Sequence, residues 1–343
     1  MKAVAYSIKP YEKEYLAKAN QKKHDITLIS NPLSIETVIF SEGKDSVIVS
    51  PNDGVSADVI KKLAGYGIKY IVTRSTGTDH IDEEAAEKHG IKLSNVPSYS
   101  PQATAEHAVA LAFALDRKLV MADRHSHVFD FRNDNLIGFN FFGKTVGVIG
   151  LGNTGQAVAR IFNGIGCKIL GYDVSFPEDT AYIQPSSLEE LLTCSDIISL
   201  HVPLTDATRH IIQRDTLDQM KNGVMLINTS RGALINTKHL VEALQNGKIG
   251  YLGLDVYEFE KGLFFESHES EGTKDTLIKE LLLFPNVLIT PHQAYLTRES
   301  LQEIAFQTIK NLDQWQMNKY LGNDNIFADG YKRIDVNQTL NDK

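Results

Sequence analysis

The chain is poor in cysteine, with only Cys167 and Cys194 among its 343 residues. Two thiols cannot form the disulfide framework of a small secreted protein, which excludes that class, and we expect both thiols to be buried. No apolar run approaches the roughly 18 residues of a membrane span. The N-terminal residues also lack the long apolar core of a signal peptide. We therefore predict a cytoplasmic globular protein with no membrane partner.

Positive charge is also scarce. The chain has 35 Lys and Arg residues against 43 Asp and Glu residues, for a net charge of −8, and no block of basic residues. A nucleic-acid-binding surface requires concentrated positive charge, so we predict no nucleic-acid partner. His125 and His127 have no third ligand at a spacing typical of a metal site, so we predict no bound metal.

Short apolar runs alternate with amphipathic segments along most of the sequence. This alternation predicts an α/β fold, in which parallel strands are connected by helices. The length exceeds what one hydrophobic core usually organises and indicates two domains. We predict two Rossmann-like or flavodoxin-like βαβ domains with parallel sheets. Residues 1–99 and 295–343 would form a discontinuous substrate domain, and residues 100–294 would form an inserted cofactor domain with six strands.

A glycine-rich turn follows the first strand of the inserted domain. Residues 150–155 match the pattern G-x-G-x-x-G, with a strand before them and a helix after them. Gly150 permits a tight turn, Gly152 lets a pyrophosphate approach the backbone, and Gly155 allows close packing of helix on strand. Asn153 and Thr154 would add their N–H groups at the start of the helix.

An acidic residue completes this pattern at the end of the next strand. The Asp173 carboxylate can accept hydrogen bonds from ribose hydroxyls and would repel a 2′-phosphate. The three residues that follow it, Val174, Ser175 and Phe176, include no cation that would neutralise such a phosphate. The sequence therefore predicts NAD, rather than NADP, as the cofactor.

Polar residues follow several predicted strands, where ligands bind in an open parallel sheet. Arg231 has the fork geometry that grips a carboxylate in two places, and His292 can exchange a proton near neutral pH. A carboxylate beside His292 would stabilise its protonated form and fix its orientation. The local sequence offers Glu258 and Glu260 for that role and does not distinguish between them.

The ordered motifs resemble those of the D-isomer-specific 2-hydroxyacid dehydrogenases. The matching strings are residues 150–155, 228–232, 255–258 and 291–294, and the likeness spans essentially the whole chain. Within the family, residues 258–265 and 292–297 are most similar to the fermentative D-lactate dehydrogenases. The resemblance implies NAD-dependent reduction of a small 2-oxo acid, pyruvate, to its D-2-hydroxy acid.

The resemblance also implies roles for individual residues. Arg231 would bind the substrate carboxylate and carbonyl, Glu260 would contact the imidazole, and His292 would supply the proton. Thr76, Gly77 and Tyr99 would contribute to the substrate site. The cofactor would be lined by Val202, Pro203, Thr208, Thr229, Ser230 and Asp255. We also expect a homodimer, or a higher homo-oligomer, formed through the cofactor domain.

Three other activities are compatible with the same motifs. A phosphoglycerate-type dehydrogenase often carries a further regulatory domain, for which the roughly thirty residues after the last predicted helix are too few. A hydroxyisocaproate-type enzyme would accept bulkier 2-oxo acids, and pocket volume is not readable from sequence. A non-catalytic NADH-sensing corepressor would bind the cofactor without turning over a substrate.

Overall fold

The computed structural model describes residues 1–178 and 180–317. These residues form two compact units. One comprises Met1–Ser100 and the described residues from Thr297 onward, and the other comprises Pro101–Leu296. The predicted C-terminal part of the first unit, residues 318–343, lies outside the described residues. Across the described ranges, no helix is long and apolar enough to cross a membrane.

The first unit is built on a five-stranded parallel sheet in the order β2-β1-β3-β4-β5. Its elements are β1 (Lys2–Ala5), α1 (Glu12–Asn20), β2 (Asp25–Leu28), β3 (Ser46–Val49), α2 (Ala57–Gly65), β4 (Tyr70–Thr73), α3 (Glu83–Lys88), β5 (Lys92–Ser94) and α11 (Arg298–Gln316). Neighbouring residues of a strand enter different cores, because successive side chains point to opposite faces. Val4 packs into one cluster, and Ala3 and Ala5 pack into another that includes Ile309 and Leu312 of α11.

The second unit contains a seven-stranded parallel sheet in the order β12-β11-β10-β9-β6-β7-β8. Its helices are α4 (Pro101–Asp116), α5 (Leu119–Ser126), α6 (Asn153–Gly164), α7 (Leu188–Cys194), α8 (Arg214–Gln219), α9 (Thr237–Gln245) and α10 (Thr276–Leu281). Its strands are β6 (Thr145–Ile149), β7 (Lys168–Tyr172), β8 (Ile183–Pro185), β9 (Ile197–Leu200), β10 (Val224–Asn228), β11 (Ile249–Leu254) and β12 (Val287–Ile289). Strand order reverses between β6 and β9, so the carboxyl end of β6, where the glycine turn begins, lies at this switch point.

Both faces of this sheet are covered. Leu226 of β10 packs into one core, and its neighbours Met225 and Ile227 pack into the core on the opposite face. All five residues of β10 are buried, which explains the continuous apolar run in the sequence. The α/β fold with two parallel sheets is thereby confirmed.

Two expectations about this unit were wrong. The sheet has seven strands rather than six, because β8 pairs with β7 although its sequence, Ile183-Gln184-Pro185, contains no apolar run. Cys194, expected to be buried, is exposed, whereas Cys167 is buried. Cys194 is the last residue of α7, and it lies beyond Leu191 and Leu192, which face the core.

Candidate active site

The glycine turn brings β6 and α6 into close contact. Gly150 adopts a left-handed φ of 95°, and a β-carbon there would lie 2.5 Å from the carbonyl oxygen of His201. A β-carbon on Gly155 would lie 1.8 Å from the carbonyl oxygen of Gly150. At Gly152, by contrast, no atom of the described residues other than its chain neighbours lies within 4 Å of the β-carbon position. The first and third glycines are thus needed for packing, and the second leaves an open approach to the backbone.

The start of α6 at this turn is available to an anion. Gly152 precedes the helix and makes no side-chain capping bond, so the N–H groups of its first turn are not capped from within the helix end. Asn153 and Thr154 are the first two residues of that turn. Their position fits a pyrophosphate bound by backbone N–H groups and the helix dipole.

Asp173 lies against the glycine turn. Its Oδ2 accepts the N–H of Leu151 over 2.6 Å, and its Oδ1 accepts the N–H of Ser175 over 3.1 Å. The carboxylate is half-buried. The acid predicted to bind the ribose is therefore held between the turn and the end of β7.

Other predicted cofactor residues lie where β9 and β10 end. Thr229 Oγ1 is buried and has no hydrogen-bond partner among the residues described here, which makes it available to a ligand. The hydroxyls of Ser230 and Thr208 are already used, since they donate to Leu200 O over 2.8 Å and to Pro203 O over 2.6 Å. Val202 is half-buried and Pro203 is exposed. These groups, with the glycine turn, fit a dinucleotide along one edge of the sheet.

His201 lies behind the glycine turn at the end of β9. Its Nε2 is 2.7 Å from the Ser199 hydroxyl, and its Nδ1 is buried with no partner in the described part of the chain. Burial lowers the pKa of His201 from 6.5 to about 3. The imidazole is therefore neutral at physiological pH, a property that nothing in its sequence context indicates.

Arg231 is carried by a short turn after β10. Asn228 is fully buried, and its side chain donates to the Arg231 carbonyl over 2.9 Å and accepts the N–H of Ser230 over 3.0 Å. Arg231 Nη1 donates to Ser230 O over 2.9 Å. The turn is thus held by its own asparagine, and Arg231 lies at the carboxyl edge of the sheet.

His292 and Glu260 form a hydrogen-bonded pair. His292 Nδ1 lies 2.9 Å from Glu260 Oε1, and the two side chains are 17% and 27% exposed. Glu258, the alternative carboxylate, instead lies 2.6 Å from His210 Nε2. The bond at Nδ1 directs proton exchange with a ligand to Nε2.

Asp255 organises the turn that carries His292. Its carboxylate is fully buried and accepts the hydroxyl of Thr290 over 2.6 Å and the N–H groups of Gln293 and Ala294 over 2.9 and 2.8 Å. Its carbonyl oxygen accepts the N–H of His292 over 2.8 Å. Within this turn His292 has a left-handed φ of 53°. Asp255 also lies 3.4 Å from His107 Nε2 and donates its N–H to Asn228 O over 2.9 Å, and its predicted role at the cofactor remains a prediction.

Two aromatic rings beside His292 were not predicted as site residues. The ring centroid of Phe265 lies 5.7 Å from that of His292, and the ring of Tyr295 stands nearly perpendicular to it at 6.5 Å. No spacing rule distinguishes these aromatics from others in the sequence. Together they give the imidazole an apolar border.

The predicted substrate residues of the first unit lie after β4 and β5. The Thr76 hydroxyl donates to Val96 O over 2.9 Å, and the Ser75 hydroxyl donates to the carbonyl of Gly77 over 2.7 Å. Tyr99 is half-buried and lies five residues beyond the end of β5. These three residues belong to a different unit from Arg231, and their contact with substrate remains a prediction.

Comparison with known proteins places this geometry in context. Residues 109–294 match the model of the NAD-binding domain of D-isomer-specific 2-hydroxyacid dehydrogenases. A D-lactate dehydrogenase of Curvularia clavata is 44% identical over 324 residues, which cover 92% of each chain. An aromatic 2-oxoacid reductase of Clostridium sporogenes is 37% identical over 321 residues, covering 92% of this chain and 97% of the relative. A solved structure of the pyruvate reductase of Chlamydomonas reinhardtii matches with a TM-score of 0.88 and 42% identity, covering 94% of this chain and 98% of that one.

Proposed function

This chain belongs to the D-isomer-specific 2-hydroxyacid dehydrogenases, and from that membership we propose that it reduces pyruvate to D-lactate. NAD is its cofactor, and an NAD-dependent exchange between a 2-oxo acid and a 2-hydroxy acid is its general activity. The observation that carries the proposed carbonyl reduction is the His292–Glu260 pair. It lies on the same edge of the sheet as Arg231 and the glycine turn.

The residues that would hold NAD are those of the glycine turn with Asp173 and Thr229. Bound in its reduced form, the cofactor supplies a hydride. The open face at Gly152 and the uncapped first turn of α6 would bind the pyrophosphate. Asp173 would accept hydrogen bonds from the adenosine ribose.

Arg231 would bind the carboxylate of the 2-oxo acid. A guanidinium offers two parallel N–H donors in the geometry of a carboxylate, which fixes the orientation of the substrate as well as its position. Orientation matters because hydride transfer to a substrate fixed in the correct position proceeds like an intramolecular reaction, at a higher rate. The bond between Asn228 and the Arg231 carbonyl supports this role, since it holds the turn that presents the side chain.

His292 would donate the proton that the reduced carbonyl oxygen requires. The hydrogen bond from Nδ1 to Glu260 would hold the ring in the orientation that presents Nε2 to the substrate. In the reverse direction the same Nε2 would accept the proton of the hydroxy acid. The rings of Phe265 and Tyr295 beside the imidazole would reduce the access of water to this nitrogen.

The assignment to pyruvate is supported by relatives named for D-lactate and for pyruvate. The aromatic 2-oxoacid reductase of Clostridium sporogenes shows that similar chains are also named for larger substrates. The test is the initial rate of NADH oxidation by the purified protein with pyruvate, 2-oxoisocaproate, phenylpyruvate and hydroxypyruvate. The handedness of each product is read by chiral chromatography, and His292→Ala serves as the inactive reference.

A clear preference for pyruvate with D-lactate as product would support the proposal. Preference for a bulky 2-oxo acid would retain the mechanism and replace the substrate. NADH binding without turnover of any of the four acids would contradict the proposal and favour a sensor of NADH.

We further propose that the second unit pairs with a second copy of the chain. Exposed apolar side chains recur from α5 to the residues before β6, and we refer to this set as the apolar surface: Leu119, Val120, Val128, Phe129, Phe131, Ile137 and Phe142. Four of these side chains, Phe129, Phe131, Ile137 and Phe142, are more than three-quarters exposed. Single exposed apolar residues are ordinary, but several large ones in one segment are a feature of protein interfaces.

A further inference from the structure

Two residues before Glu260 the chain carries a second carboxylate bonded to a second imidazole. Glu258 Oε1 lies 2.6 Å from His210 Nε2, and Glu258 Oε2 accepts the N–H of Thr237 over 2.9 Å. The side chains of Glu258 and His210 are 12% and 29% exposed. Both oxygens of a nearly buried carboxylate are therefore engaged, one by the imidazole and one by the first residue of α9.

The backbone of His210 is attached to the segment that follows Arg231. The N–H of His210 donates to Ala233 O over 2.9 Å. Two residues further on, Ile212 forms a parallel bridge with Ile235. The left-handed φ of 52° at His210 is unusual for a residue with a β-carbon, and these contacts hold it. His210 thus contacts Ala233, two residues after Arg231, through its backbone and Glu258 through its side chain.

Glu258 also lies directly under the turn that carries Arg231. A β-carbon on Gly232 would lie 2.0 Å from the carbonyl carbon of Tyr257 and 2.4 Å from the nitrogen of Glu258. Only glycine permits this approach of two backbones. The backbone beside Arg231 therefore rests on residues 257 and 258, and a displacement of one displaces the other.

The same short turn carries Glu260. The N–H of Tyr257 donates to Glu260 Oε2 over 3.0 Å, and the N–H of Glu260 donates to Tyr257 O over 3.3 Å. Residues 257–260 therefore hold one carboxylate bonded to His210 and another bonded to His292. The position of the first constrains the position of the second.

We propose that His210 and Glu258 are positioning residues, which fix Arg231 and Glu260 relative to each other without touching the reacting atoms. This inference rests on the proposed function, because it assigns the pair a role in 2-oxo acid reduction. Loss of the His210 donor leaves a buried carboxylate without one of its partners, and the turn relaxes to rehydrate it. A shift of about 1 Å in an oriented site lowers turnover by about 10²-fold.

The test compares four purified variants, His210→Ala, His210→Gln, Glu258→Gln and His239→Ala, with the wild-type chain. Gln at position 210 can still donate an N–H to Glu258. His239 is the matched control, because it is a half-buried histidine of α9 whose Nδ1 accepts the N–H of Arg214 and which makes no described bond to Glu258. The readouts are kcat and KM for pyruvate, the Kd for NADH, the primary isotope effect with 4-deuterated NADH, and the Tm.

We expect His210→Ala to lower kcat/KM for the 2-oxo acid by about 10- to 100-fold, with a larger deuterium isotope effect. The Kd for NADH should stay within about twofold, because the glycine turn is untouched. His210→Gln should recover most of the loss, and His239→Ala should match the wild type. If His210→Ala does not fold, Glu258→Gln provides the same test, since it keeps the volume of the side chain and removes its charge.

Different results would overturn the positioning role of His210 and Glu258 and the proposed function of the chain. An active wild-type chain whose folded His210→Ala and Glu258→Gln variants keep its kcat/KM and isotope effect, even with a lower Tm, would overturn the positioning role alone. Failure of His210→Gln to recover activity would also overturn it, since the donated hydrogen bond would then not be the cause. A wild-type chain that binds NADH but reduces no 2-oxo acid would overturn the proposed function and this inference with it.

Discussion

The Asp173 carboxylate accepts the N–H of Leu151, the residue between the first two glycines of the turn, over 2.6 Å. The acid at the end of β7 is therefore held at the turn itself, where the ribose of a dinucleotide bound there would lie. Asp173→Ala should weaken NADH binding by about 10- to 100-fold, which is the usual effect of losing hydrogen bonds to a charged group. It should also narrow the preference for NADH over NADPH, because the repulsion of a 2′-phosphate is removed. Fluorescence titration with both cofactors measures this, with the exposed Asp215→Ala as control.

Arg231 should affect the 2-oxo acid far more than the cofactor. We expect Arg231→Ala to lower kcat/KM by about 10²- to 10³-fold while the Kd for NADH stays within about twofold. Arg231→Lys keeps the charge but not the paired donors, so it should recover only part of the loss. Steady-state kinetics test this, with Arg160→Ala on the exposed side of α6 as control. An unchanged kcat/KM in Arg231→Ala would remove this residue from the mechanism.

Glu260→Gln separates the charge of the carboxylate from its position. The amide oxygen can still accept a hydrogen bond from His292 Nδ1, but the negative charge beside the imidazole is gone. We expect kcat/KM to fall by about 10- to 100-fold, less than in His292→Ala. The neighbouring exposed Glu266→Gln is the matched control. Equal activity of the two glutamine variants would contradict the assigned role.

His201 should make the second unit sensitive to acid. Because burial lowers the pKa of His201 to about 3 in the folded chain, the unfolded chain binds one more proton between pH 6.5 and 3. The free energy of unfolding is therefore highest above pH 6.5 and falls by about 1.4 kcal/mol per pH unit as the pH drops through that range.

The measurement is urea denaturation of wild type and His201→Gln at pH 7.0, 6.0 and 5.0. Between pH 6.5 and 5 the wild type should lose about 2 kcal/mol more than the variant, since glutamine does not titrate. The glutamine amide can still donate to the Ser199 hydroxyl, so the wild type and the variant differ here mainly in their ability to bind a proton. Parallel curves for the two proteins would show that His201 does not bind the extra proton on unfolding.

The apolar surface between α5 and β6 should control the oligomeric state. We expect the wild type to elute with the mass of two chains. The double variant Phe129→Asp/Phe131→Asp should elute with the mass of one chain, because association would bury two charges in the interface. Light scattering after gel filtration measures both masses. Leu283→Asp is the control, since that leucine is equally exposed outside this surface. A monomeric wild type at every concentration would contradict the proposal.

The alternation of short apolar runs with amphipathic segments was sufficient to predict the two parallel sheets. The continuous apolar sequence of β10 is readable because both faces of that strand are buried. By contrast, β8 pairs at the edge of its sheet with a single buried residue, Ile183, so its sequence has no apolar periodicity. Edge strands are stabilised by backbone pairing that the side-chain pattern does not record.

The part of the candidate site that follows from the topology of the parallel sheet was predictable from the sequence. Residues that follow parallel strands share one edge, so Arg231 and His292 were recognisable as neighbouring groups. The local residues did not distinguish Glu258 from Glu260, because the choice depends on the path of one turn and on His210, 48 residues away in sequence. Only the family resemblance gave Glu260. The positions of Phe265 and Tyr295 beside His292 were also not predictable, because they depend on tertiary packing.

The left-handed backbone at His292 has a consequence for how this sequence can vary. A residue with a β-carbon pays about 1 kcal/mol to adopt φ 53°, and glycine would adopt it without that penalty. Asp255 holds the turn in this conformation with bonds to three successive N–H groups, those of residues 292–294. Folding alone would favour glycine at this position, whereas the proton transfer that we propose for His292 requires an imidazole. Selection for stability and selection for chemistry therefore act in opposite directions on one residue, and Asp255 is what allows the chemical requirement to prevail.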